Sequence, residues 1–293
     1  MNIYVYLLLC MVYTVYGDDI SNHPNWKYLD TETCGYTKYD DKKARIVNGK
    51  EAMLGEFPWI VRLGRRPFKF KKTIFFDCAG TLVNRYYVVT AGHCEEGNKI
   101  ARIGENYDNV PVDCYESECA PEIQDIPVER YIEFGFNREA HRRDLRLALL
   151  EEPATLNEYV VPACLPGPRL IGANLLGQMV RIAGWGYADF RTKYLPDKLQ
   201  YIKAPVLDPE ICGDLYVNKL DESQLCVGYE SGKDSCAGDS GGPLTKSLKI
   251  NGKRQHYLLG VVSFGMTYCG DGPAVYTNVS YFMKEILDKI EKS

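Results

Sequence analysis

The chain has 293 residues, of which 45% are hydrophobic and 25% charged, an ordinary balance for a globular protein. Its net charge of −4 gives no basis for nucleic-acid binding, which usually requires a basic domain. No apolar run after residue 17 reaches the length of a membrane-spanning helix.

The first 17 residues have the features of a secretory signal peptide. The stretch MNIYVYLLLCMVYTVYG has no charged side chain and is apolar from Ile3 to Val15. Val15 and Gly17 fit the small residues that precede a cleavage site, although no Lys or Arg marks the start. We therefore expect a signal peptide over residues 1–17 and a secreted, extracellular protein. The alternatives are a membrane anchor or a buried strand.

The cysteine count supports this prediction. Of eleven cysteines, Cys10 lies in the signal segment and ten remain. An even number in a secreted chain implies disulfides. No CxxC pair or Cys/His cluster has the spacing of a zinc site, so we expect no structural metal.

The chain changes character at Ile46. Residues 18–45 are polar and irregular and end in the basic sequence KKAR. Beyond them, short runs rich in Val, Ile, Tyr and Thr are bounded by turn residues and predict strands: PWIVRLG, RYYVVTAG, QMVRIAGWG, QYIKAPVL, YLLGVVSFG and AVYTNV. Helical periodicity occurs only in YFMKEILDKIEK, where Phe282, Ile286 and Ile290 share a face. This pattern predicts an all-β sandwich or barrel with one terminal helix.

Ser240 lies in DSCAGDSGGP, residues 234–243, and is a candidate nucleophile. A serine needs a general base, and the chain has four histidines, at 23, 93, 141 and 256. GDSGG also matches the nucleophile turn of α/β-hydrolases, a fold that requires the order Ser, acid, His. No acid lies between Ser240 and His256, and helical crossovers are missing, so we reject that interpretation.

The order His, Asp, Ser is available in His93 of VVTAGHC, Asp144 of DLRLALLEEP and Ser240. The chain also contains the motifs IVNG, TAGHC, GWG, DSCAGDSGGP and SFG. These motifs carry a resemblance of the chain, from residue 46 to its end, to the trypsin/chymotrypsin family of serine endopeptidases. The resemblance implies an all-β fold of two packed six-stranded antiparallel β-barrels with a C-terminal helix, and a protease domain over residues 46–293.

The resemblance also implies the roles of the site residues. Ser240 would attack the scissile carbonyl, His93 would take its proton, and Asp144 would orient the imidazole. The backbone N–H groups of Gly238 and Ser240 would form the oxyanion hole. No cofactor is implied.

Asp144 has a competitor two residues along the chain. The family usually shows Asp followed directly by an apolar string, and RLALL would put Arg146 at the acid position. The nine positions from Asp144 to Pro153 match the family's spacing without a gap, so we assign the acid to Asp144. Arg146 then falls where a polar residue is tolerated. A solvated surface charge is the alternative for Asp144.

Cleavage between Arg45 and Ile46 would free an amino terminus. A buried ammonium requires a partner, and Asp239 resembles the family's internal partner for that terminus. Residues 18–45 would then be a short propeptide and the full chain a zymogen. The alternative is that Asp239 caps a turn.

The resemblance places Asp234 at the floor of the primary specificity pocket, where it would attract a substrate Lys or Arg. Gly265 would line the pocket entrance, and Ser263 would lie beside the substrate strand. Ala274 replaces a pocket-wall glycine in PAVY and is expected to crowd the pocket, and Phe264 of SFG would shape the next subsite.

By resemblance, the disulfides are Cys78–Cys94, Cys212–Cys226, Cys236–Cys269 and Cys34–Cys164, the last tethering the cleaved propeptide. Cys114 and Cys119 remain, and a bridge in their loop, like SFG, is similar to the catalytic domains of arthropod clip-domain serine proteases. The clip itself, with six cysteines, cannot come from residues 18–45, which hold one.

Three accessory features have open alternatives. Glu105 is either a solvated loop acid or a calcium ligand. RRPFKFKK, residues 65–72, is either an ordinary exposed loop or an exosite for an acidic partner. Asn278 begins the lone N-glycosylation sequon and is a candidate glycan site.

Together these features predict the secreted zymogen of a trypsin-like serine endopeptidase that hydrolyses peptide bonds after Arg or Lys. The alternative is a weak or silent homologue that acts as a binding cofactor or venom component. The expected partners are a protein or peptide substrate, an activating trypsin-like protease and a serpin-type inhibitor. We expect a monomer with no nucleic-acid or membrane partner.

Overall fold

The computed structural model describes residues 19–39, 50–66, 73–94, 97, 99–108, 110–187, 195–216, 219–228, 239–250, 252–266 and 272–293. Its strands are β1 (Lys50–Glu51), β2 (Ile60–Arg65), β3 (Phe75–Leu82), β4 (Tyr87–Thr90), β5 (Ile100–Ile103), β6 (Cys114–Tyr115), β7 (Glu118–Cys119), β8 (Gln124–Glu133), β9 (Arg146–Leu150), β10 (Met179–Gly184), β11 (Gln200–Leu207), β12 (Gln224–Val227), β13 (Pro243–Ile250), β14 (Lys253–Phe264) and β15 (Ala274–Asn278). Its helices are two 3₁₀ turns (Ile20–Asn22 and Pro24–Tyr28), α1 (Pro209–Leu215) and α2 (Val279–Lys289). Among the described residues, no helix combines the length and apolar character needed to cross a membrane.

The first barrel closes in the order β2, β3, β4, β9, β8, β5, with every neighbouring pair antiparallel. Its strands are rich in Val, Ile and Leu, which pack well on a pleated sheet. β9 is buried at all five positions of RLALL, including its arginine. Buried apolar side chains such as Leu63, Val88 and Leu147 form the centre of this barrel.

The second barrel contains β11, β10, β13, β14, β15 and β12, and pairing of β11 with β12 closes it. β1 adds to the outer edge of β11. Its core is a separate cluster that includes Val180, Leu244 and Tyr276. The predicted pair of six-stranded antiparallel barrels is therefore confirmed.

Helix α2 packs against the first barrel, and its buried face contains Phe282, Ile286 and Ile290, as the sequence periodicity predicted. Asn278 caps its N-terminus by accepting the N–H of Ser280 at 3.2 Å. The amide Nδ2 of Asn278 also donates to the carbonyl of Glu222 at 2.8 Å. The amide nitrogen that a glycan would modify therefore already serves a structural hydrogen bond.

The N-terminal segment, residues 19–39, lies against the body of the protein. Trp26 and Leu29 pack against the hydrophobic core of the first barrel. Asn25 donates to the carbonyl of Leu287 in α2 at 2.9 Å. The N–H of Gly35 donates to the carbonyl of Pro162 at 2.7 Å. A segment that looked irregular in sequence is thus ordered by contacts with distant parts of the chain.

Candidate active site

His93 and Asp144 lie at neighbouring strand ends. His93 follows β4, Asp144 precedes β9, and β4 pairs with β9 in the register Thr90 to Arg146. The ring Nδ1 of His93 lies 2.8 Å from Asp144 Oδ2. The backbone N–H of His93 donates to Asp144 Oδ1, also at 2.8 Å. The imidazole is therefore fixed to this carboxylate at two points.

Asp144 is almost fully buried, with 2% of its side chain exposed. Burial by itself would raise its pKa, but hydrogen bonds from His93 and Ser263 outweigh that cost and hold the pKa below its usual value. The hydroxyl of Ser263 donates to Oδ2, and Thr277 Oγ1 donates to the Asp144 carbonyl at 2.7 Å. Asp144 is thus a carboxylate at neutral pH. It is Asp144, and not Arg146, that faces the His93 ring. The contact from Ser263 was not predicted, because the resemblance assigned that residue to the substrate strand.

The glycine after Ser240 is required by the turn. Gly241 has φ of +79°, a conformation that side chains disfavour. A Cβ at this position would lie 2.2 Å from Thr90 Oγ1 and 2.4 Å from the carbonyl of Ala79. The turn that carries Ser240 therefore packs directly on the first barrel.

Backbone hydrogen bonds fix Ser240 between the two barrels. The N–H of Ala79 in β3 donates to the carbonyl of Ser240 at 2.7 Å. The N–H of Gly241 donates to the carbonyl of Val262 in β14 at 3.0 Å. The carbonyl of Ser240 also lies 3.8 Å from the sulfur of Cys94, the residue after His93. The structure thus brings Ser240 to the His93 turn where the two barrels meet.

Asp239 lies on the second-barrel side of this turn and is 9% exposed. Its Oδ1 accepts the N–H of Gly186 at 2.8 Å. A Cβ on Gly184 would lie 1.8 Å from the same oxygen. The two glycines of the GWG sequence therefore make room for this carboxylate, a physical reason for a motif that served only as a family marker.

The substrate-binding candidates follow the end of β14. Phe264 ends that strand, Gly265 follows it and is exposed, and Ala274 is 1% exposed at the start of β15. The ring of Phe264 lies 4.9 Å from His141 and 5.2 Å from Tyr216, measured between centroids. This aromatic cluster was not predicted, because its members are far apart in sequence.

Several predicted site residues lie outside the described residues, so the structure places none of them. They are Arg45, Ile46, Asp234, Cys236, Gly238 and Cys269. Of the RRPFKFKK segment, Arg65 and Arg66 are described and exposed, and the rest lies outside.

Four of the expected disulfides are present: Cys34–Cys164, Cys78–Cys94, Cys114–Cys119 and Cys212–Cys226. In the described part of the chain, one group of metal-type ligands lies close together, Cys78, His93 and Cys94. Its two sulfurs form a disulfide, so this group does not provide a metal site.

Glu105 is not a solvated loop acid, because its side chain is 1% exposed. Its Oε2 accepts from Arg62 at 2.9 Å and its Oε1 from Arg102 at 3.0 Å. Burial nevertheless raises its pKa, since the arginines offset only part of the desolvation. Both carboxylate oxygens of Glu105 therefore already accept a hydrogen bond from a guanidinium group.

Comparison with known proteins shows similarity to serine proteases in sequence and in fold. The sequence profile of the family called Trypsin matches residues 46–286. The CLIP domain-containing serine protease HP8 of Bombyx mori is 34% identical over 93% of this chain and 75% of its own length. The Spaetzle-processing enzyme of Drosophila melanogaster is 31% identical over 97% of this chain and 78% of its own. The crystal structure of the Drosophila Grass clip serine protease of the Toll pathway superposes with a TM-score of 0.76 at 28% identity, covering 88% of this chain and 75% of that one.

Proposed function

The chain belongs to the trypsin family of serine endopeptidases, and we propose that it is the secreted zymogen of a protease that cleaves after Arg or Lys. The observation that carries the proposal is the buried Asp144 carboxylate bound to His93 beside the turn of Ser240.

In the proposed mechanism, Ser240 Oγ attacks the scissile carbonyl while His93 takes its proton. With Nδ1–H donated to Asp144, a neutral ring carries its lone pair on Nε2, the nitrogen that can accept from a serine. The N–H groups of Gly238 and Ser240 stabilise the tetrahedral oxyanion. The imidazolium then protonates the leaving amine, and the acyl-enzyme is hydrolysed by water with His93 as base again.

Activation by cleavage between Arg45 and Ile46 is supported by the position of Asp239. Ile46 precedes Glu51 of β1 by five positions, and an extended chain of that length reaches roughly 17 Å. In register, Glu51 of β1 pairs with Gln200, and Gln200 pairs with Gly184, against which Asp239 packs. Two strand spacings amount to about 9.6 Å, which is within that reach. The new ammonium would then pair with Asp239 and fix the turn before Ser240.

The segment before the cleavage site would remain attached afterwards. We propose a signal peptide over 1–17, a propeptide over 18–45 and a protease domain over 46–293. The Cys34–Cys164 disulfide and the hydrogen bonds of residues 19–39 to the body support retention of the propeptide.

The proposed specificity rests on Asp234 as an acidic pocket floor for a Lys or Arg side chain. The named relatives include a processing enzyme and a Toll-pathway protease, so we propose a protein substrate in an extracellular cascade. The activating enzyme would itself cleave after Arg, and a serpin-type inhibitor would be a suitable regulator.

The test combines cleavage with active-site labelling. Purified chain lacking the signal segment is treated with trypsin, and the new amino terminus is sequenced. We expect IVNG, followed by covalent labelling of Ser240 with a fluorophosphonate and hydrolysis of Arg and Lys peptides. Arg45→Gln should stay unlabelled, and the matched control Lys42→Gln should behave like the original chain.

Two results would overturn the proposal. Correctly cleaved protein that never labels would indicate a silent homologue. Equal labelling of the Arg45→Gln variant would show that cleavage at this site is not the activating step.

A further inference from the structure

We propose that Arg146 is a positioning residue for His93, because one residue holds both ends of the turn that carries the imidazole. The inference rests on the proposed catalytic roles of His93 and Asp144.

Arg146 is a buried cation in an otherwise apolar strand. It is 7% exposed, and the other four residues of β9 are Leu or Ala. Its guanidinium Nη1 donates to the carbonyl of Cys94 at 2.5 Å. Its Nε lies 2.7 Å from Glu133, and the group stacks 4.9 Å from the ring of Tyr131.

The two contacts of Arg146 bracket the His93 turn. Its backbone pairs with Thr90, the last residue of β4 before the turn. Its side chain binds the carbonyl of Cys94, the residue immediately after His93. Between these points the turn has one backbone bond of its own, from Cys94 N–H to Ala91 at 3.2 Å. The guanidinium and the Cys78–Cys94 disulfide therefore together set where the chain leaves the turn, and with it the position of the ring that must meet both Asp144 and Ser240.

Stability alone is a poor explanation for this arginine. Burying a guanidinium is costly, and an apolar side chain of similar length would suit the strand. Its ion-pair partner Glu133 is 46% exposed, so solvent screens that attraction. The bond to the buried Cys94 carbonyl is the contact that an apolar residue cannot replace.

The experiment measures kcat and KM of the activated enzyme for Arg146→Met, Arg146→Lys and Glu133→Gln. The Met variant has no donor and should lose roughly tenfold or more in kcat, with KM within about twofold. The Lys variant, which can donate to Cys94, should recover part of that loss. Glu133→Gln leaves the Cys94 bond intact and should retain kcat.

A purely structural role is separated by two further measurements. Val180→Ala, in the core of the second barrel, should lower the melting temperature and leave kcat unchanged. The low-field proton resonance of the His93–Asp144 hydrogen bond should broaden in Arg146→Met and stay sharp in Val180→Ala.

Unchanged kcat in a folded Arg146→Met variant, or an equal loss in Glu133→Gln, overturns the inference. If Arg146→Met does not fold, Arg146→Lys is compared with Glu133→Gln, and equal kcat in these two overturns it. His93→Ala tests the underlying function separately. If His93→Ala is inactive while Arg146→Met is normal, the positioning role alone fails; if His93→Ala is active, the proposed function fails.

Discussion

Replacing Asp144 with Asn tests the proposed triad most directly, because the structure dictates how an amide would sit. One carboxylate oxygen accepts the backbone N–H of His93 and the other meets Nδ1 of the ring and the Ser263 hydroxyl. An amide has one acceptor, and backbone N–H groups cannot reverse their role, so the carbonyl must face the backbone of His93. The NH₂ then donates to Nδ1 and to Ser263, whose hydroxyl can accept.

That arrangement places the imidazole proton on Nε2, where the base must instead accept. We expect Asp144→Asn to lower kcat by about 10⁴-fold, the scale for a triad held in the wrong tautomer. This corresponds to about 5.4 kcal/mol of transition-state stabilisation. Steady-state hydrolysis of an Arg peptide at pH 8 measures it, with circular dichroism as the control for folding. A folded variant within tenfold of the original enzyme would refute the role of Asp144.

The same variant makes a prediction about stability. The pKa of Asp144 is lowered in the folded state, so its ionisation stabilises the fold above the unfolded pKa, near 4. That contribution is lost as the pH falls through the folded pKa. The melting temperature of Asp144→Asn should therefore lie furthest below that of the unmodified protein at pH 6, and this difference should shrink below about pH 4. A difference that is constant over this range would contradict the ionised, hydrogen-bonded carboxylate.

Two further predictions concern specificity and calcium. Ala274→Gly should raise kcat/KM roughly tenfold for Arg peptides and less for Lys peptides, because it removes a methyl from the proposed pocket wall. Equal increases in kcat/KM for both kinds of peptide would show that the methyl does not crowd the substrate guanidinium. Glu105→Gln should destabilise the fold by less than the roughly 3 to 5 kcal/mol of a broken buried ion pair, because desolvation of this carboxylate outweighs its attraction to the arginines, and Arg62 and Arg102 keep Asp108 and Asp125 as partners. EDTA should leave the melting temperature of the unmodified protein unchanged. A clear drop with EDTA would contradict the occupation of Glu105 by arginines.

The parts of this structure that were predictable from sequence are those set by local patterns. Short Val- and Ile-rich runs predicted six of the described strands, β2, β4, β10, β11, β14 and β15. The shared face of Phe282, Ile286 and Ile290 predicted α2. The spacing from Asp144 to Pro153, matched to that of the family the chain resembles, identified which residue faces His93 against a competing register. These signals lie within about ten residues of one another, where the backbone period directly determines direction.

The parts that were not predictable depend on residues brought together from distant strands. Glu105 reads as a loop acid until Arg62, on another strand of the barrel, places its guanidinium beside it. Arg146 likewise reads as a tolerated polar residue in a strand, because nothing nearby in sequence indicates a buried carbonyl at Cys94. In both cases a charge that the local pattern assigns to solvent is buried by a partner that only the closed barrel supplies. Such charges are therefore the positions at which a family pattern conveys least about an individual chain, and at which substitutions in this protein will be most informative.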